Sequence, residues 1–596
     1  MAQTTVDGTL DPLGCARLLY RLCLLGCVLG GSATLYQISG LLGYLNDPGP
    51  NVLLVAVLLA ATGYSLATFF ALQETVLVGR LSWYLVLLIL IIDLVLGLVP
   101  PATRDELTHH LAIPRLYADR GRIFEISFAL PSYYPMLVDM FYIPFVRWEW
   151  DFVPKLVHGL FGVLTGLLVY SYLGLRLNKS YGLLGLLFFI SLPIIVRLSG
   201  QAYVDLGLVF YSTGALLALL LWKENPSHRW LVVAGLMAGF ALATKPNGIL
   251  VFLLLLPALI LLQPDGGEAK HATWAKVLVF GGCAFLAFSP WLVRNFAWTG
   301  NPVFPFFWHV FGGGEKVAGD PGLNLIARRR LLYGESWWAI AALPLRLFFF
   351  GRDDQAEQFD GVLNPILVVF LPWAFRGKWY EEKRLLFFFA LSYLLFAVFL
   401  TELRIRYLLP IVPPLVILLV YALHNIYLRI ARPWVLVTLV ASLLALNLIY
   451  MAAYFRRVSP LAYIVGKESR EAYLTRALGE YPVFQYINQN LPASARIYLL
   501  FVGRRGYYCH RSYFYDGGEL PWVLLETLKT AEDPGGVEKQ LKERNLTHLV
   551  AREELLQRFL SDNLSPHKLG LWQAFKERTL RELYHAHGYF LYQIDG

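Results

Sequence analysis

The sequence predicts an all-α bundle of membrane-spanning helices followed by a small α/β domain. Of its 596 residues, 57% are hydrophobic and only 16% are charged, whereas about a quarter of the residues of a soluble domain are charged. Apolar runs close to the roughly 20 residues that cross a bilayer core recur as far as residue 455. From residue 456 onward charges become frequent and long apolar runs stop. We therefore predict a transmembrane domain over 1–455 and a second domain over 456–596.

Thirteen apolar runs are candidates for transmembrane helices. They lie near 19–42, 51–72, 81–100, 152–173, 181–199, 203–222, 230–244, 249–263, 277–293, 361–375, 385–401, 407–428 and 433–453. The apolar stretch 337–350 is shorter and predicts an interfacial or re-entrant helix. The predicted bundle thus has about 13 transmembrane helices.

Basic residues in alternate short loops predict the orientation, because Lys and Arg concentrate in short cytoplasmic loops. The basic set comprises Arg17, Arg21, Arg80, Arg176, Lys179, Lys223, Arg229, Lys270, Lys276, Arg376, Lys378, Lys383, Arg384, Arg429 and Arg432. The other set faces out and comprises the first outer loop 101–151, the short turn near Gln201, the turn 245–248, the outer loop 294–361, the turn 402–406 and the C-terminal domain. This predicts a cytoplasmic N-terminus.

The segment after residue 456 has the pattern of a small extracytoplasmic α/β domain of roughly 130 residues. Strands are predicted over 496–502, 547–550 and 588–594, and an amphipathic helix over 536–544. The sequence contains neither a GxGxxG nor a P-loop motif, so a nucleotide site is not indicated. The net charge of +9 is explained by the cytoplasmic loops and predicts no nucleic-acid partner. The five cysteines form neither a disulfide framework nor a CxxC metal site.

The first outer loop contains the strongest candidates for chemistry, in the stretch Thr103-Arg104-Asp105-Glu106-Leu107-Thr108-His109-His110. Adjacent residues diverge by about 100° on a helix, so Asp105 and Glu106 cannot both point at one substrate group. One of the two carboxylates would be catalytic and the other would support it. Partial desolvation would raise the pKa of a working carboxylate and make it a better base. The alternative is a capped helix start. His109 would lie on the same helical face as Asp105 and could bind it or a metal ion; the alternative is a solvated interfacial histidine. His110 is a weaker candidate for a functional residue than His109.

Two further candidates face the same side of the membrane. Asp205 lies at the outer end of an apolar helix, where a carboxylate is a functional residue by default; the alternative is an ion pair with Arg197. Lys245, in the turn Lys245-Pro246-Asn247-Gly248, could neutralise a phosphate or a carboxylate, or could be a lysine that reaches from an apolar helix to the interface.

Arginines at two outer positions could bind a phosphate. The stretch Thr401-Glu402-Leu403-Arg404-Ile405-Arg406-Tyr407 places two guanidinium groups at an outer helix start, and guanidinium suits a phosphate better than an ammonium does. Contact with lipid headgroups is the alternative for these arginines. Arg294 adds an outer cation, followed by a stretch rich in aromatic residues and prolines that could form a wall for a lipid or a sugar.

The order of these features resembles that of the GT-C membrane glycosyltransferases, and especially the bacterial branch with the protein O-mannosyltransferases and the aminoarabinose transferases. The resemblance covers residues 81–455. It rests on the acidic pair, the later acid, the KPNG turn, the segment PWLVRNFAWTGNPVFPF and the late RYLLP helix. No WWDxW-type motif of the oligosaccharyltransferases occurs, so transfer of whole oligosaccharides to Asn is disfavoured.

The resemblance implies that a sugar moves from a polyprenyl phosphate carrier to an acceptor on the outer face, with inversion at the anomeric carbon. By position, Asp105 matches the catalytic acid, Glu106 its neighbour and Asp205 the second acidic residue. Lys245, Arg294, Arg404, Arg406, Tyr407 and His109 are the candidates for binding the substrate or the carrier phosphate. Expected partners are the lipid-linked sugar donor, membrane lipids and an acceptor that is a lipid, a glycan or a protein. No cofactor is implied with certainty, although Asp105, His109 and Asp205 could hold a divalent metal ion.

Two other classes of protein stay open at this point. A polytopic transporter or flippase for a lipid-linked or polar substrate would also have many apolar helices and a few charges. The candidate charges, however, collect on one face and not at the bilayer midplane between inverted repeats. A non-catalytic scaffold is the third reading, and it predicts that Asp105, Asp205 and the arginines do not converge on one pocket.

Overall fold

A computed structural model describes residues 12–73, 77–262, 272–311, 325–378, 380–400, 403–516 and 521–595. Within these ranges eight helices are long and apolar enough to cross a membrane, or nine if one bent pair counts as a single span. The predicted residues Lys270 and Glu402 lie outside the described ranges. The predicted fold class of a helical membrane bundle with a small C-terminal sheet is confirmed.

The first half of the bundle consists of long helices joined by short turns, apart from one long connection. The helices are α1 (Pro12–Leu41), α2 (Pro48–Ala71), α3 (Leu77–Gly97), α4 (Ala112–Arg120), α5 (Ile143–Arg147), α6 (Val153–Arg176), α7 (Lys179–Ser191), α8 (Pro193–Ser199), α9 (Asp205–Glu224), α10 (His228–Thr244), α11 (Gly248–Leu261) and α12 (Ala272–Thr299). The connection between α3 and α6 holds the two short helices α4 and α5 and the Asp105 stretch.

A region of short helices follows, before three longer ones. These helices are α13 (Trp308–Phe311), α14 (Leu325–Leu331), α15 (Trp337–Ala341), α16 (Leu343–Arg346), α17 (Ile366–Val369), α18 (Leu371–Ala374), α19 (Tyr380–Leu400), α20 (Val412–Tyr427) and α21 (Pro433–Val458). A 3₁₀ segment, Ile405–Ile411, leads into α20. Two short helices, α15 and α16, occupy the stretch that was predicted as interfacial or re-entrant.

The predicted count of 13 spans is not confirmed, for reasons that involve proline and helix length. The span predicted over 181–199 is broken at Pro193, where α7 and α8 are bent by 70°, because proline removes a helical hydrogen bond. The span predicted over 361–375 is not one continuous helix: it contains only the four-residue helices α17 and α18, with Pro372 at the start of the second. Helices α10 and α11 have 17 and 14 residues, fewer than the roughly 20 residues that cross a bilayer core.

Helix α9 lies at the centre of the bundle. The most apolar 18-residue window of α9 is completely buried, and α9 packs against α6 and α10. Helix α10 in turn packs closely on α12: a Cβ atom added at Gly239 would lie 2.4 Å from the carbonyl oxygen of Ala284. Small residues allow helix backbones to approach in this way. Asp205 is therefore held at the N-terminal end of the most enclosed helix.

The C-terminal part forms a five-stranded mixed sheet with helices around it. Its helices are α22 (Pro460–Ile464), α23 (Arg470–Ala477), α24 (Tyr481–Asn490), α25 (Trp522–Thr530), α26 (Pro534–Glu543), α27 (Glu553–Asn563) and α28 (Pro566–Thr579). Its strands are β1 (Arg496–Leu500), β2 (Ser512–Phe514), β3 (His548–Arg552), β4 (Leu580–Ala586) and β5 (Tyr589–Ile594), in the order β2-β1-β3-β5-β4. Strands β1, β2 and β3 are parallel, and β5 is antiparallel to β3 and β4. The three predicted strands and the predicted helix are present.

Candidate functional site

Asp105 lies directly before a π-helical turn, Glu106–His110, in the connection between α3 and α6. One oxygen of its carboxylate lies 2.5 Å from Nη2 of Arg406, which comes from the 3₁₀ segment before α20. The Arg406 side chain is 8% exposed and the Asp105 side chain is 17% exposed. Single π-turns are frequent at functional sites, and here the turn brings a carboxylate of the first loop against a late arginine.

The ionisation of Asp105 differs from the prediction. Burial raises the pKa of this carboxyl, as predicted, but the positive charge of Arg406 and the neighbouring His109 and His110 lower it by more. The net pKa of Asp105 lies well below its usual value of 3.8. The expectation of a raised pKa was therefore wrong, because it left out a cationic partner from a distant part of the chain.

Glu106 makes a different set of contacts from Asp105. One oxygen, Oε2, accepts hydrogen bonds from the Thr103 backbone N–H at 2.9 Å and the Thr103 hydroxyl at 2.7 Å. The other, Oε1, accepts a hydrogen bond from the backbone N–H of Ala202 at 2.6 Å. Glu106 is 1% exposed. Its carboxylate thus ties the Asp105 stretch to the segment that leads into α9, which is the geometry of a positioning group.

The two histidines follow Asp105 in the π-turn, with His110 buried and His109 partly buried. His109 Nδ1 lies 2.8 Å from the Thr108 hydroxyl, and His110 Nδ1 lies 2.8 Å from Oδ1 of Asp139. Burial lowers the pKa of each imidazole to about 3, so both are neutral near pH 7. Sequence analysis ranked His110 below His109, yet His110 is the histidine with a buried carboxylate partner, Asp139, which no sequence pattern identified.

Asp205 and Lys245 form a second buried ion pair. Lys245 Nζ lies 2.6 Å from Oδ1 of Asp205, and the Asp205 side chain is 1% exposed. The same ammonium group lies 4.6 Å from the ring centroid of Tyr407, whose hydroxyl accepts a hydrogen bond of 3.3 Å from Arg406. The alternative in which Asp205 pairs with Arg197 is therefore wrong. The contacts run continuously from Asp205 through Lys245, Tyr407 and Arg406 to Asp105.

A cavity of about 600 Å³, named here the Asp105 cavity, opens beside the first ion pair. Among the described residues, its charged lining consists of Arg104, Asp105, Arg197, Asp354, Asp360, Arg404, Arg406 and Arg457. Five arginines against three aspartates give the lining a cationic excess. Because guanidinium groups bind phosphate oxygens well, this cavity can hold a phosphate next to a carboxylate. The scaffold reading predicts that Asp105, Asp205 and the arginines do not converge; Asp105 does share this cavity with the arginines, whereas Asp205 does not line it.

A cluster of aspartates supports the arginines on the far wall of the Asp105 cavity. Arg197 Nη1 lies 3.0 Å from Asp353 and 3.0 Å from Asp360, and its Nη2 lies 2.8 Å from Asp354. Arg404 Nη1 lies 3.5 Å from Asp360. Sequence reasoning missed these aspartates, although the run Arg352-Asp353-Asp354 in an otherwise apolar stretch is a signal that could have found them.

Arg294 lies apart from these ion pairs. Its guanidinium donates a hydrogen bond of 2.8 Å to the Tyr133 carbonyl and lies over the rings of Trp291 and Trp298, at 4.5 and 4.8 Å from their centroids. Arg294 is 3% exposed and is absent from the lining of the Asp105 cavity. The structure therefore joins Arg294 to the 3₁₀ turn at 130–133 and not to Asp105.

The described residues do not form a metal site of the predicted kind. Within them, no three His, Cys, Asp or Glu side chains lie close enough together to hold a metal ion. Asp105 is paired with Arg406 and Asp205 with Lys245. The set of Asp105, His109 and Asp205 is thus not assembled around one point.

The C-terminal part contacts the Asp105 stretch directly. The Tyr508 hydroxyl donates a hydrogen bond of 2.7 Å to the Pro101 carbonyl, and the Tyr507 backbone N–H donates one of 3.3 Å to the Leu107 carbonyl. Both tyrosines belong to the connection between β1 and β2. This connection therefore braces the loop that carries Asp105 on both sides of the carboxylate.

Comparisons with known proteins concern one segment of the sequence and the fold of the chain. The family model described as dolichyl-phosphate-mannose-protein mannosyltransferase matches residues 151–293. ArnT from Cupriavidus metallidurans in the apo state is similar with a TM-score of 0.53 at 14% identity, over 85% of this chain and 97% of that chain. ArnT bound to undecaprenyl phosphate covers the same shares of the two chains at 14% identity, with a TM-score of 0.51. The chain has the GT-C glycosyltransferase fold.

The GT-C resemblance that the sequence motifs indicated is thereby confirmed. The matched segment 151–293 runs from the start of α6 into α12 and contains Asp205 and Lys245. The archaeal oligosaccharyltransferase AglB from Archaeoglobus fulgidus, in complex with an inhibitory peptide and a dolichol-phosphate, has a TM-score of 0.45 at 13% identity, over 86% of this chain and 74% of that chain. Comparison with curated protein sequences gives no match.

Proposed function

We propose that the protein is an integral-membrane glycosyltransferase that moves a sugar from a polyprenyl phosphate carrier to a lipid, glycan or protein acceptor. The observation that carries this proposal is the Asp105–Arg406 pair at the wall of an arginine-rich cavity. The GT-C fold and the mannosyltransferase family match support the reaction class. The similar ArnT fold is bound to undecaprenyl phosphate in one of its structures, which supports a polyprenyl phosphate ligand here.

In the proposed reaction Asp105 acts as the general base. An acceptor hydroxyl or amine gives its proton to the Asp105 carboxylate, and its oxygen or nitrogen forms a bond to the anomeric carbon of the sugar. The bond from that carbon to the carrier phosphate breaks on the opposite face, and its electron pair stays on the phosphate oxygen. The configuration at the anomeric carbon is therefore inverted.

Arg406 has a double role in this scheme. In the free protein it holds the pKa of Asp105 low, which makes the carboxylate a weak base. A carrier phosphate in the Asp105 cavity attracts the guanidinium groups of Arg406 and Arg404, and a phosphate that departs as an anion is stabilised by the same donors. When Arg406 turns toward the phosphate, Asp105 loses its closest cation and its basicity rises, so donor binding itself activates the base.

The remaining predicted residues act by positioning in this proposal. Lys245 neutralises Asp205 and supports Tyr407, and Glu106 holds the Asp105 stretch through its hydrogen bonds. Arg294 supports the 3₁₀ turn at 130–133. Neither Asp105 nor Asp205 is assigned to a metal ion, because each carboxylate faces a cationic side chain.

We further infer that the Asp105 cavity faces the outside of a bacterial inner membrane and that the N-terminus is cytoplasmic. The alternation of basic loops supports this orientation. Residues 1–455 then form the catalytic membrane domain, and residues 456–596 form an extracytoplasmic domain that braces it. The charged groups of the site collect at one end of the bundle and not at its midplane, which disfavours a transporter.

The test compares Asp105→Asn with Asp119→Asn, because Asp119 is an exposed carboxylate of the same loop. Membranes that contain each variant are supplied with a panel of polyprenyl-phosphate sugars labelled in the sugar, and transfer of label is measured. We expect transfer by wild type and Asp119→Asn, and a loss of at least about 100-fold in Asp105→Asn. Near-normal transfer by Asp105→Asn would overturn the assignment.

A further inference from the structure

A second cavity, named here the strand-end cavity, lies where the parallel strands of the C-terminal sheet end. Its volume is about 450 Å³. Leu499 and Phe501 line it at the end of β1, Tyr515 and Asp516 line it after β2, and Arg552 lines it as the last residue of β3. The cavity is thus built at the carboxyl ends of three neighbouring strands.

The strand order places this cavity at a switch in chain direction. The chain passes from β1 to its neighbour β2 on one side and then crosses to β3, which pairs with β1 on the other side. In open α/β sheets the crevice outside the carboxyl ends of the strands at such a point is where ligands bind. The strand ends therefore provide a binding crevice, to which the loop before Asp105 also contributes a lining residue.

The lining of the strand-end cavity is strongly cationic. Among the described residues, four arginines line it, Arg104, Arg504, Arg505 and Arg552, together with Asp516 as the single acidic residue. The oxygens of Asp516 already accept hydrogen bonds from the Tyr498 hydroxyl at 2.5 Å and from the Val523 backbone N–H at 2.9 Å.

Two of the lining arginines make different contacts. Arg505 Nε lies 2.9 Å from Glu480, which does not line the cavity. Arg552 is exposed, and its guanidinium lies 5.8 Å from the ring centroid of Tyr589, another lining residue. A crevice with guanidinium groups on several sides and an aromatic ring suits a sugar that carries an anionic group.

Arg104 connects the two cavities. It lines the strand-end cavity and also the Asp105 cavity, and it directly precedes Asp105 in the chain. A ligand in the strand-end cavity is therefore adjacent to the place where the acceptor must lose its proton.

We propose that the strand-end cavity binds an anionic group of the acceptor, a phosphate or a carboxylate attached to a sugar. That the anion belongs to the acceptor rests on the proposed glycosyl transfer, whereas anion binding itself does not. The C-terminal domain then selects acceptors by charge while the membrane domain performs the transfer. The lipid-linked donor occupies the Asp105 cavity and not the strand-end cavity.

The experiment measures binding of three sugars to the purified full-length protein in detergent micelles by calorimetry. Glucose 1-phosphate probes a phosphate, glucuronate probes a carboxylate, and glucose is the uncharged reference. The variants are Arg504→Gln/Arg552→Gln, Arg552→Gln alone as a substitution at an exposed side chain, and Arg558→Gln as a matched control. Arg558 is an exposed arginine of α27 that does not line the cavity. Arg404→Gln reports on binding in the Asp105 cavity.

We expect at least one of the two anionic sugars to bind wild type and glucose not to bind, and the sugar that binds identifies the anion. The Kd of that sugar should rise at least about 10-fold in the double variant and less in Arg552→Gln, and should be unchanged in Arg558→Gln, Arg404→Gln and Asp105→Asn. The proposal is overturned if neither anionic sugar binds wild type, if glucose binds equally well, if the double variant binds as wild type does, or if only Arg404→Gln loses binding. Failure of the proposed glycosyl transfer appears separately, as normal transfer by Asp105→Asn.

Discussion

Asp105 and Arg406 are joined by a contact of 2.5 Å although one belongs to the first long loop and the other to the last third of the chain. Both side chains are largely shielded from water, with 17% and 8% of their surfaces exposed. Breaking a buried ion pair by removing one partner leaves an uncompensated charge. The two residues are therefore coupled in stability as well as in the proposed chemistry.

Arg406→Gln is expected to lower the rate of sugar transfer by about 100- to 1000-fold, because it removes a donor from the developing phosphate charge. Arg406→Lys keeps the charge but not the forked geometry of the guanidinium group. Its rate of sugar transfer should lie between the rates of wild type and Arg406→Gln. Transfer from the lipid-linked donor in isolated membranes is the measurement. Arg122→Gln, an exposed arginine of the same loop as Asp105, is the control and should retain full activity. Equal activity of Arg406→Gln and Arg122→Gln would contradict the prediction.

The pH dependence of kcat/KM should separate the influence of Arg406 from that of burial, because kcat/KM reports ionisations of the free enzyme. In wild type the pKa of Asp105 lies well below 3.8, so Asp105 is ionised throughout the range from pH 5 to 8. Arg406→Gln removes the charge that lowers this pKa and leaves burial, which raises it.

The residual kcat/KM of Arg406→Gln is therefore expected to decrease as the pH falls, with an acidic limb at least about 1 pH unit higher than in wild type. The profile is measured between pH 4 and 8 for both proteins. Acidic limbs that coincide would show that the charge of Arg406 does not set the ionisation of Asp105.

Lys245→Met should destabilise the protein by about 3–5 kcal/mol, because it leaves the Asp205 carboxylate buried without its partner. Asp205→Asn/Lys245→Met removes both charges and is expected to recover most of that loss. Thermal unfolding of the two variants in detergent, compared with wild type, measures the difference. A double variant that is no more stable than Lys245→Met would show that the ion pair is not what the single substitution disrupts.

Gly239→Ala should destabilise the bundle by about 1–3 kcal/mol through overpacking. The added Cβ atom would meet the Ala284 carbonyl oxygen at 2.4 Å and the Ala287 Cβ atom at 2.7 Å, so α10 and α12 must separate. Gly282→Ala, on α12, is a matched control because nothing lies within 4 Å of its added Cβ atom. Thermal unfolding should distinguish the two variants, and equal melting temperatures would contradict the close packing of α10 and α12.

The sequence could predict those features that depend on local composition. Apolar runs identified most of the long helices. Charged residues at the ends of these runs were recognised as site candidates, namely Asp105, Asp205, Lys245, Arg404 and Arg406. Alternation of basic loops grouped these residues on one side. The structure pairs Asp105 with Arg406 and Asp205 with Lys245, whereas Arg404 pairs with Asp360.

Pairings between distant residues could not be predicted in the same way. The alternative that paired Asp205 of α9 with Arg197 is wrong, because Arg197 binds three aspartates between 353 and 360, more than 150 residues away in the sequence. The π-turn after Asp105 depends on backbone hydrogen bonds that no sequence pattern predicts. Strand β2 has only three residues, too few for an alternating pattern, and it was missed.

The bracing of Pro101 and Leu107 by Tyr508 and Tyr507 has a consequence for biogenesis. Translation proceeds from the N-terminus, so a nascent chain can insert every membrane helix and contain both Asp105 and Arg406 before either tyrosine exists. The loop that carries Asp105 gains these two hydrogen bonds only when synthesis has passed residue 508. We therefore expect a product that ends near residue 455 to lack both hydrogen bonds that hold the Asp105 loop.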